Sequence, residues 1–498
     1  MAQHLTILQI NDTHGYLEPH PELFWDGDHA VYRTAGGFAR IATLFAQARR
    51  EHPDAVIALD NGDTIHGTFA AVHSQGQALV PVLNVLGLDG MTAHWEFAYG
   101  PAQFRRITEQ LHYPMLAINC YHRDSGELAY PPYRVVERGG LRVGIIGIAA
   151  TIVDKTMPPH FSTGLRFTLG SEELPGHIRH LRQAEGVDLV AVLSHLGFPQ
   201  EVKLASEVAG IDVLLSGHTH NRLYEPVQVN GAILMQSGCH GSFVGRLDLT
   251  LERGQIRDFR HRLLPVTEDI PPDPAVQALV EAALAPHRAM LDTVVGHTRT
   301  ALNRNTVLES TMDNLLLAAL VDATGAPLAF SNGWRYGAPV PPGPITLNDL
   351  WNIIPTNPPV SLVELSGAEL WAMMEENLER TFACDPYQQM GGYVKRCLGA
   401  NIYVKIENPP GQRIQRFFAG GELLQPERIY TAAFVTSQGV PQKYGRHRRH
   451  LELRAIDALR QYWPSTKASR PSCAARWWRC EWGTNRQRGM GVGSDQGR

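Results

Sequence analysis

Six acidic and histidine side chains in the first half of the chain have the types and the spacing of a metal site. They lie in the segments NDTHG, ALDNGD, AVLSHLG and LLSGHTH, and they are Asp12, His14, Asp63, His195, His218 and His220. Taken singly, an Asp after a strand is usually a turn former and a lone His is usually a hydrogen-bonded polar side chain. Taken together, two carboxylates and several imidazoles at one place predict a bound divalent cation.

Each of these segments directly follows an apolar run that predicts a buried strand. The runs LTILQI, AVIALD, LVAVLSH and DVLLSGH precede them, RVGIIGIA and AILMQSG are further strand candidates, and GGFARIATLFAQARREH and LPGHIRHLRQAEG have helical spacing. Sites in α/β sheets form beyond the carboxyl ends of strands, and DxH and GHxH place alternate side chains on one side. The sequence therefore predicts an α/β domain with a metal site at its strand ends.

Length and composition restrict the class of protein. A chain of 498 residues predicts two domains, and 45 Lys plus Arg against 49 Asp plus Glu exclude a nucleic-acid polymer held by bulk charge. The six cysteines have no zinc spacing, so His and Asp are the expected ligands. No apolar run reaches the length of a membrane span, and the first strand follows Met1 closely. We expect a cytoplasmic protein as written, or a periplasmic one if an export leader is missing.

Changes in composition predict four segments. Residues 1–265 form the metal-bearing domain, 266–292 a linker helix after a proline-rich stretch, and 293–465 a second, smaller α/β domain. The second domain has helix candidates at STMDNLLLAALVDAT and SGAELWAMMEENLERTF and strand candidates at NIYVKI and RIYTAAFVT. Residues 466–498 lack any period and predict disorder, with a frameshifted end of the reading frame as the competing explanation.

These motifs in this order, followed by SNGWRYG and LSGAELWAMMEENLE, resemble the metallophosphoesterases of the 5'-nucleotidase family. The resemblance covers roughly residues 4 to 463. It implies a four-layered α/β/β/α catalytic domain with two metals, and a C-terminal substrate domain. It also implies hydrolysis of esters of phosphate and related anions.

Carried onto this sequence, the resemblance implies two cation sites that share one carboxylate. Asp12, His14 and His220 would hold one ion, His195 and His218 would hold the second, and Asp63 would bridge. Two such cations activate a shared water and clamp the anion that it attacks. His and carboxylate ligands suit manganese, the expected metal, and also zinc, iron or cobalt. Asn11 is interpreted as a turn residue rather than a ligand.

The segment GMTAHWEFAYG departs from the family at its catalytic motif. The family has Gly-Asn-His-Glu-Phe-Asp where this chain has Ala93 to Ala98, so His94 replaces an asparagine ligand and is itself a predicted ligand. Trp95 and Ala98 stand where the catalytic His and its orienting Asp are expected, and neither transfers a proton. General acids accelerate the loss of poor leaving groups by ~10²- to 10⁴-fold, so this variant favours a substrate with a good leaving group.

The same run, together with DPYQQMGG and GWRYG, is similar to the SoxB-type enzymes of sulfur oxidation, a branch of the family. That resemblance implies release of sulfate from a cysteine-linked thiosulfonate on a carrier protein, with two manganese ions. The predicted substrate is this thiosulfonate or a small anionic ester. Nucleotidases of the family place the base between two aromatics, whereas here Thr356 follows Pro355 and no GGDG motif is present.

The predicted catalytic residues are Asp63, His94 and Arg335. Arg335, with Asn332 nearby, is a candidate clamp for the anion, and a surface arginine is the alternative. Tyr387, Gln388 and Gln389 are substrate-binding candidates by resemblance, and Gly391 and Gly392 are expected in a turn.

Two further hypotheses stay open at this stage. The first is a 5'-nucleotidase or nucleotide phosphohydrolase in which another group, such as His66, donates the proton. The second is a metal-bearing binding protein that has lost catalysis, which the intact set of ligands disfavours.

Overall fold

The computed structural model describes residues 2–465 and the short strand at 477–479. The first part of the chain, up to residue 292, contains eight helices among these described residues. They are α1 (Phe38–Glu51), α2 (Phe69–His73), α3 (Val80–Val85), α4 (Pro101–Thr108), α5 (Leu174–Gln183), α6 (Phe198–Glu207), α7 (Pro274–Leu284) and α8 (Arg288–Leu291). Short 3₁₀ turns lie at Gln77–Leu79, Trp95–Tyr99 and Pro159–Ser162.

The strands of the same part form two large sheets and two small ones. They are β1 (Gln3–Ile10), β2 (His20–Asp26), β3 (His29–Ala35), β4 (Val56–Asp60), β5 (Gly90–Met91), β6 (Cys120–His122), β7 (Tyr133–Arg138), β8 (Leu141–Ile148), β9 (Leu165–Phe167), β10 (Leu189–Ser194), β11 (Val213–Leu215), β12 (Val227–Val229), β13 (Ala232–Met235), β14 (Phe243–Glu252) and β15 (Gln255–Pro265). One sheet has the order β15-β14-β1-β4-β5, and the other has the order β12-β13-β11-β10-β8-β7.

The two large sheets pack face to face, and helices cover their outer faces. Side chains alternate along each strand: Ile7 and Ile145 belong to the core between the sheets, whereas Ile10 packs with α1 and Ile146 packs with α5 and α6. This gives the layer order α/β/β/α, and the predicted fold class is confirmed. β1 pairs parallel with β4, and β10 pairs parallel with β8 and β11, so the carboxyl ends of the central strands lie at common edges.

The linker helix predicted within 266–292 is two helices in the structure, α7 and α8. Pro286 lies between them, and proline interrupts a helix because it lacks a backbone N–H and clashes with the preceding turn. The first turn of α7 is capped by the Asp273 carboxylate, which accepts from the backbone N–H groups of Ala275 and Val276.

The second part of the chain is a smaller α/β unit. Its elements are β16 (Val294–Thr298), α9 (Thr311–Thr324), β17 (Leu328–Gly333), β18 (Gly343–Thr346), α10 (Leu347–Ile353), β19 (Pro359–Ser366), α11 (Gly367–Phe382), a 3₁₀ turn (Pro386–Gln388), β20 (Tyr393–Leu398), β21 (Ala400–Val404), β22 (Ile414–Ala419), β23 (Glu422–Leu423), β24 (Ile429–Phe434), α12 (Thr436–Gly439), β25 (Arg446–Arg454) and α13 (Ala455–Ser465). The main sheet has the order β20-β17-β24-β19-β25. Capping boxes at Thr346 and Ser366 begin α10 and α11.

Most of the segment 466–498, for which the sequence predicts disorder, lies outside the described residues. Its described part differs from that prediction: Trp477–Arg479 is a strand, β26, that pairs parallel with Ile402–Val404 of β21. Pairing along the edge of β21 satisfies backbone groups that a sheet edge otherwise exposes. In the described part of the chain, no helix has the length and apolarity needed to cross a membrane.

Candidate metal centre and its cavity

All seven predicted metal ligands lie at the carboxyl ends of strands, and they meet in one buried place. Asp12 and His14 follow β1, Asp63 follows β4, His94 follows β5, His195 follows β10, and His218 and His220 follow β11. Five of them have positive φ, a conformation that L residues rarely adopt: Asp12 (51°), His14 (49°), Asp63 (56°), His218 (71°) and His220 (59°). Such backbone strain clusters at functional sites, where the surrounding structure maintains it.

The first group of potential ligands comprises Asp12, His14, Asp63 and His220, whose ligand atoms all lie within 4.8 Å of one another. His220 Nε2 is 3.2 Å from Asp12 Oδ1 and 3.2 Å from His14 Nε2. His14 Nε2 is 3.8 Å from Asp63 Oδ2. Two imidazole nitrogens and two carboxylates are thus directed at one point, which is the donor set that a transition-metal ion prefers.

The second group comprises Asp63, His94, His195 and His218, again with ligand atoms within 4.8 Å of one another. His94 Nδ1 is 3.2 Å from Asp63 Oδ1, and His195 Nε2 is 3.3 Å from Asp63 Oδ2. Asp63 belongs to both groups: His94 Nδ1 is within 3.3 Å of both of its oxygens, and Oδ2 also faces His195 and His14. A single carboxylate therefore joins the two donor sets.

Hydrogen bonds on the far side of the imidazoles hold the rings in place. His195 Nδ1 lies 2.5 Å from the Asn61 carbonyl oxygen, and His14 Nδ1 lies 3.1 Å from the His66 carbonyl oxygen. Such outer partners fix the tautomer of a metal-binding histidine and turn its other nitrogen toward the metal. His94 Nε2 is buried without a hydrogen-bond partner among the described residues, and His195 Nε2 faces the Asp63 carboxylate at 3.3 Å, so each ring has a nitrogen that an ion could satisfy.

The ionisation of the clustered carboxylates and imidazoles also favours binding of a cation. Burial raises the pKa of Asp63, but His94 and His195 outweigh it and hold that pKa well below its usual range. Burial lowers the pKa of His195, yet the Asp63 and Asp12 carboxylates raise it to about 10. Burial lowers the pKa of His14 to about 3. The two carboxylates stay ionised and draw positive charge toward themselves, and a metal ion can take the place of that proton.

Two residues that the sequence prediction did not assign to the site hold the ligand loops in position. The Glu96 carboxylate accepts from the backbone N–H groups of His94 (2.8 Å) and Thr64 (2.6 Å). The Asn61 side chain donates to the carbonyls of Ser194 (2.8 Å) and Leu215 (2.7 Å), which join the ends of β10 and β11 to the end of β4. Both lie within the motif segments, but Thr64, Ser194 and Leu215 are distant from them along the chain, so these contacts give no local signal.

Asn11 is not part of either group. Its side-chain amide donates to Asp12 Oδ2 (2.8 Å) and to the Gly238 carbonyl (2.7 Å), and it accepts from the Ser237 N–H (2.9 Å). Asn11 therefore orients the Asp12 carboxylate.

A third buried group, His20, Glu22 and His240, has residue types that could bind a metal. Its carboxylate is already fully used. Glu22 Oε1 accepts from Arg222 (2.8 Å) and the Leu23 N–H (2.8 Å), and Oε2 accepts from Ser242 Oγ (2.9 Å) and faces His240 Nδ1 at 3.1 Å. With an arginine as its counter-ion, Glu22 has no lone pair left for a cation, and we interpret this group as a structural hydrogen-bond network.

Trp95 and Ala98 stand where the family resemblance implies a catalytic His and its orienting Asp, and neither side chain transfers a proton. The Trp95 indole lines the cavity above the metal centre and stacks on the His66 ring, with centroids 4.6 Å apart and an interplanar angle of 21°. His66 is buried and does not itself line the cavity. The indole therefore covers the imidazole that was considered as an alternative acid.

The metal centre opens into a cavity of about 470 Å³ whose other wall comes from the second part of the chain. Arg335 reaches across, with NH2 2.7 Å from His218 Nε2, and its guanidinium lies over the Tyr393 ring at 5.8 Å. Asn332 also lines the cavity and donates to Gln438 Oε1 (3.2 Å). The structure thus brings Arg335 and Asn332 to the seven clustered residues.

The DPYQQMGG segment reaches the site through its glycines. Gly391 has φ of 71°, and a Cβ at this position would lie 2.7 Å from His218 Nε2. Tyr387 and Gln388 are not among the residues that line the cavity; the Tyr387 hydroxyl donates to Glu207 (2.8 Å) on α6. Gln389 bonds within its own segment, to the Ala383 carbonyl (3.2 Å). The structure does not bring these three side chains to the metal centre.

Two family models match the chain. The calcineurin-like phosphoesterase model matches residues 5–222, and the model of the 5'-nucleotidase C-terminal domain matches residues 293–436. The chain is a calcineurin-like phosphoesterase with a 5'-nucleotidase C-terminal domain. This confirms the predicted family and places the phosphoesterase among hydrolases.

Among curated relatives, the phosphoesterase is 23% identical to Protein UshA of Yersinia enterocolitica, covering 86% of this chain and 84% of the relative. It is 26% identical to the snake venom 5'-nucleotidase of Naja atra, covering 82% of this chain and 83% of the relative.

Two solved structures from Thermus thermophilus are similar over almost the whole chain. Sulfate thiohydrolase SoxB superposes with a TM-score of 0.89 at 26% identity, covering 96% of this chain and 97% of that one. A 5'-nucleotidase precursor superposes with a TM-score of 0.84 at 23% identity, covering 96% of this chain and 100% of that one. The second likeness shows the shared fold.

Proposed function

We propose that this phosphoesterase binds two divalent cations, manganese in the first instance, and hydrolyses a sulfate- or phosphate-type anion with a good leaving group. In this proposal Asp12, His14 and His220 hold one ion, and His94, His195 and His218 hold the other. Asp63 bridges them, in keeping with its membership of both groups. When bound, such a pair supplies an activated water nucleophile and neutralises charge on the tetrahedral anion.

Arg335 is the proposed clamp for that anion. Its guanidinium lies directly beside His218 at the cavity end of the metal centre, where an anion held by the ions would meet it. Burial lowers the pKa of Arg335, but a guanidinium stays charged because its ordinary pKa is far above neutral. Its planar donors match two oxygens of a sulfate or phosphate group. Asn332 extends the same wall.

The observation that carries the leaving-group proposal is Trp95 in the cavity wall. A nucleoside alkoxide leaves poorly without protonation, whereas a thiolate or persulfide leaves as an anion. Trp95 offers an indole that neither gains nor loses a proton near neutral pH, and it covers His66. These features favour SoxB-like cleavage of a thiosulfonate to sulfate, on a carrier protein or a small molecule. The likeness to the sulfate thiohydrolase structure supports this choice.

A nucleotidase is the second candidate. Curated relatives at 23% and 26% identity include a 5'-nucleotidase, and aromatic side chains that could stack on a base line the cavity. These aromatics are Trp95, Trp334, Tyr336 and Tyr393. In that case a small nucleotide ester would be the substrate.

The deciding experiment compares substrates on one metal-loaded preparation. Protein stripped by chelation and reloaded with manganese is assayed with a cysteine thiosulfonate, an activated aryl phosphate and adenosine monophosphate. We expect activity to vanish on stripping and to return with manganese. We expect the first two substrates to be turned over far faster than the nucleotide. Equal or faster turnover of the nucleotide would reject the leaving-group proposal in favour of the second candidate.

A paired substitution sharpens this test. Trp95→His combined with Ala98→Asp supplies the proton donor and its orienting carboxylate. We expect kcat/KM for the nucleotide to rise relative to the aryl phosphate, toward the ~10²- to 10⁴-fold that general acids provide. Ala98→Asp alone is the control, because a carboxylate beside Trp95 has no imidazole to orient.

A further inference from the structure

One buried cation on the cavity wall has no role in the proposed chemistry. Lys395, on β20, is only 4% exposed and lines the cavity. Its ammonium donates to the Gln438 backbone carbonyl, and it forms no ion pair with any described residue. The carboxylate of Glu376 is already occupied by Lys443 (2.8 Å), Arg380 (2.7 Å) and the Tyr444 hydroxyl (2.7 Å). A buried ammonium without a counter-ion is costly, and such groups recur where a ligand supplies the missing charge.

The neighbour of Lys395 on α11 offers a second donor. Asn377 Oδ1 accepts from the Lys395 backbone N–H (2.7 Å), which fixes the orientation of the amide. The Asn377 NH₂ group is left without a partner among the described residues, and Asn377 lines the same cavity. The Lys395 ammonium and the Asn377 NH₂ group are donors that line the same cavity, and two donors match the two oxygens of a carboxylate.

The position of this pair relative to the metal centre defines the ligand further. Tyr393 and Lys395 are two residues apart on one strand and both face the cavity, which separates their Cα atoms by about 6.7 Å. Tyr393 lies against Arg335, and Arg335 lies against His218. Lys395 therefore lies farther from the metal centre along this wall than Arg335, the proposed anion clamp, does.

We propose that Lys395 and Asn377 form a carboxylate subsite, so that the substrate carries an anion at the metal centre and a carboxylate a few atoms beyond the cleaved bond. This inference rests on the proposed function of the metal centre and adds the class of the remaining part of the substrate. Two cations of the cavity lining, Arg335 and Lys395, form no ion pair with a described residue, and their charge favours entry of such a dianion.

The test uses two sulfonates of equal length that differ only at the far end. Sulfobutanoate carries a carboxylate, and pentanesulfonate carries a methylene and methyl group in its place. Binding of each to the manganese-loaded protein is measured by calorimetry. We expect sulfobutanoate to bind about 10- to 100-fold more tightly, the usual gain from hydrogen bonds to a charged group. Lys395→Met should abolish this preference and leave pentanesulfonate binding within about twofold of wild type.

A second variant guards against a folding defect in the first. Asn377→Asp keeps the acceptor for the Lys395 N–H but replaces the free NH₂ with an oxygen, so it should also lose the preference. Lys203→Met is the matched control, because that lysine pairs with Asp385 (2.7 Å) and does not line the cavity. It should leave the ratio of the two affinities unchanged. Thermal unfolding of each variant reports whether it is folded.

The outcomes separate the subsite from the proposed function. If wild type binds both sulfonates equally, or if Lys395→Met retains the preference, the carboxylate subsite is rejected while the anion site at the metal centre stands. If neither sulfonate binds, the proposed function fails and the subsite fails with it. A small acid and a peptide carboxyl terminus share this chemistry. The affinities of sulfopropanoyl-glycylglycine and of its C-terminal amide distinguish these two ligands. Only a peptide-binding site prefers the longer acid over sulfobutanoate, and the amide, which lacks the terminal carboxylate, is the control.

Discussion

The wall of the cavity that carries the metal centre comes from loops after β1, β4, β5, β10 and β11, whereas the opposite wall comes from β17, β20, α11 and the turn at α12. The first wall consists of carboxylates and imidazoles in strained backbone positions, bonded to each other and to main-chain groups. The second wall combines cations, amides and aromatic side chains on β17, the loop after it, β20 and α11, and its Lys395 and Asn377 side chains line the cavity. We infer that the first wall determines the chemistry and that the second selects the substrate.

Among the substitutions that test this comparison, Asp63→Asn has the largest expected effect. The substitution keeps the shape of the side chain but removes the charge that both ligand groups share. Loss of an outer partner of a ligand already costs ~10- to 100-fold in metal affinity, so loss of the shared ligand should exceed 100-fold and eliminate activity. Elemental analysis and calorimetric manganese titration measure this.

Glu96→Gln provides the graded comparison for that result. Glu96 contacts the His94 backbone rather than the centre itself, so its loss should fall within the outer-partner range of ~10- to 100-fold. An Asp63→Asn protein that still binds two manganese ions per chain would show that Asp63 does not bridge.

Arg335→Met tests the opposite wall. We expect KM for the anionic substrate to rise about 10- to 100-fold, the value of hydrogen bonds to a charged group, while manganese content stays at the wild-type level. Arg335→Lys should recover part of the loss, because it restores the charge but not the planar pair of donors. Loss of manganese in Arg335→Met would mean that the two walls are not separable.

Gly391→Ala tests where the two walls touch. The added Cβ would lie 2.7 Å from His218 Nε2 and 2.9 Å from Ile152 Cδ1, so His218 must shift. We expect roughly a tenfold loss of manganese affinity, the lower end of what misplacing a ligand costs. Gly392→Ala is the matched control. Gly392 has a similar φ of 75°, and the atom nearest to its added Cβ is Gly333 O, 3.5 Å away. Equal effects of the two substitutions would assign the loss to backbone strain alone.

The smallest expected effect is a pH dependence of the carboxylate preference. Burial lowers the pKa of Lys395 to about 7, with Glu376 opposing this shift and Arg380 adding to it. Because a carboxylate binds the protonated ammonium, the preference for sulfobutanoate should be full below pH 7 and should decline above it, by at most about tenfold per pH unit. Calorimetry between pH 6 and 8.5 measures this, and Lys395→Met should give a flat profile. A preference that grows with pH would contradict the subsite.

The sequence predicted the fold, and the clustering of the seven residues at the strand ends, because both signals are local; the role of these residues as metal ligands stays a prediction. Apolar runs followed at once by Asp or His identify the strand ends, and the layered α/β/β/α fold is confirmed. Arg335, predicted from a motif, lines the cavity, and its role as an anion clamp stays a prediction. The prediction for Tyr387 and Gln388 relied on resemblance alone, and of that segment the structure shows Met390, Gly391 and Gly392 at the cavity.

The remaining residues could not be predicted because their partners are distant in sequence. Asn61 gains its role from carbonyls more than 130 residues away, and Lys395 from a helix and a turn on either side of its strand. Nothing in the string VKRCL distinguishes a lysine inside a cavity from one on a surface. Such residues become visible only when burial and missing partners are known.

The left-handed backbone at five of the clustered residues implies that the site lowers the folding stability of the protein in exchange for activity. Each non-glycine residue held in this conformation costs of the order of 1–3 kcal/mol of folding free energy. Glycine at these positions would relieve that strain, yet it would delete the side chains on which the site depends. Selection for heat resistance alone would therefore erode this centre, and the rest of the core must offset this local cost in folding free energy.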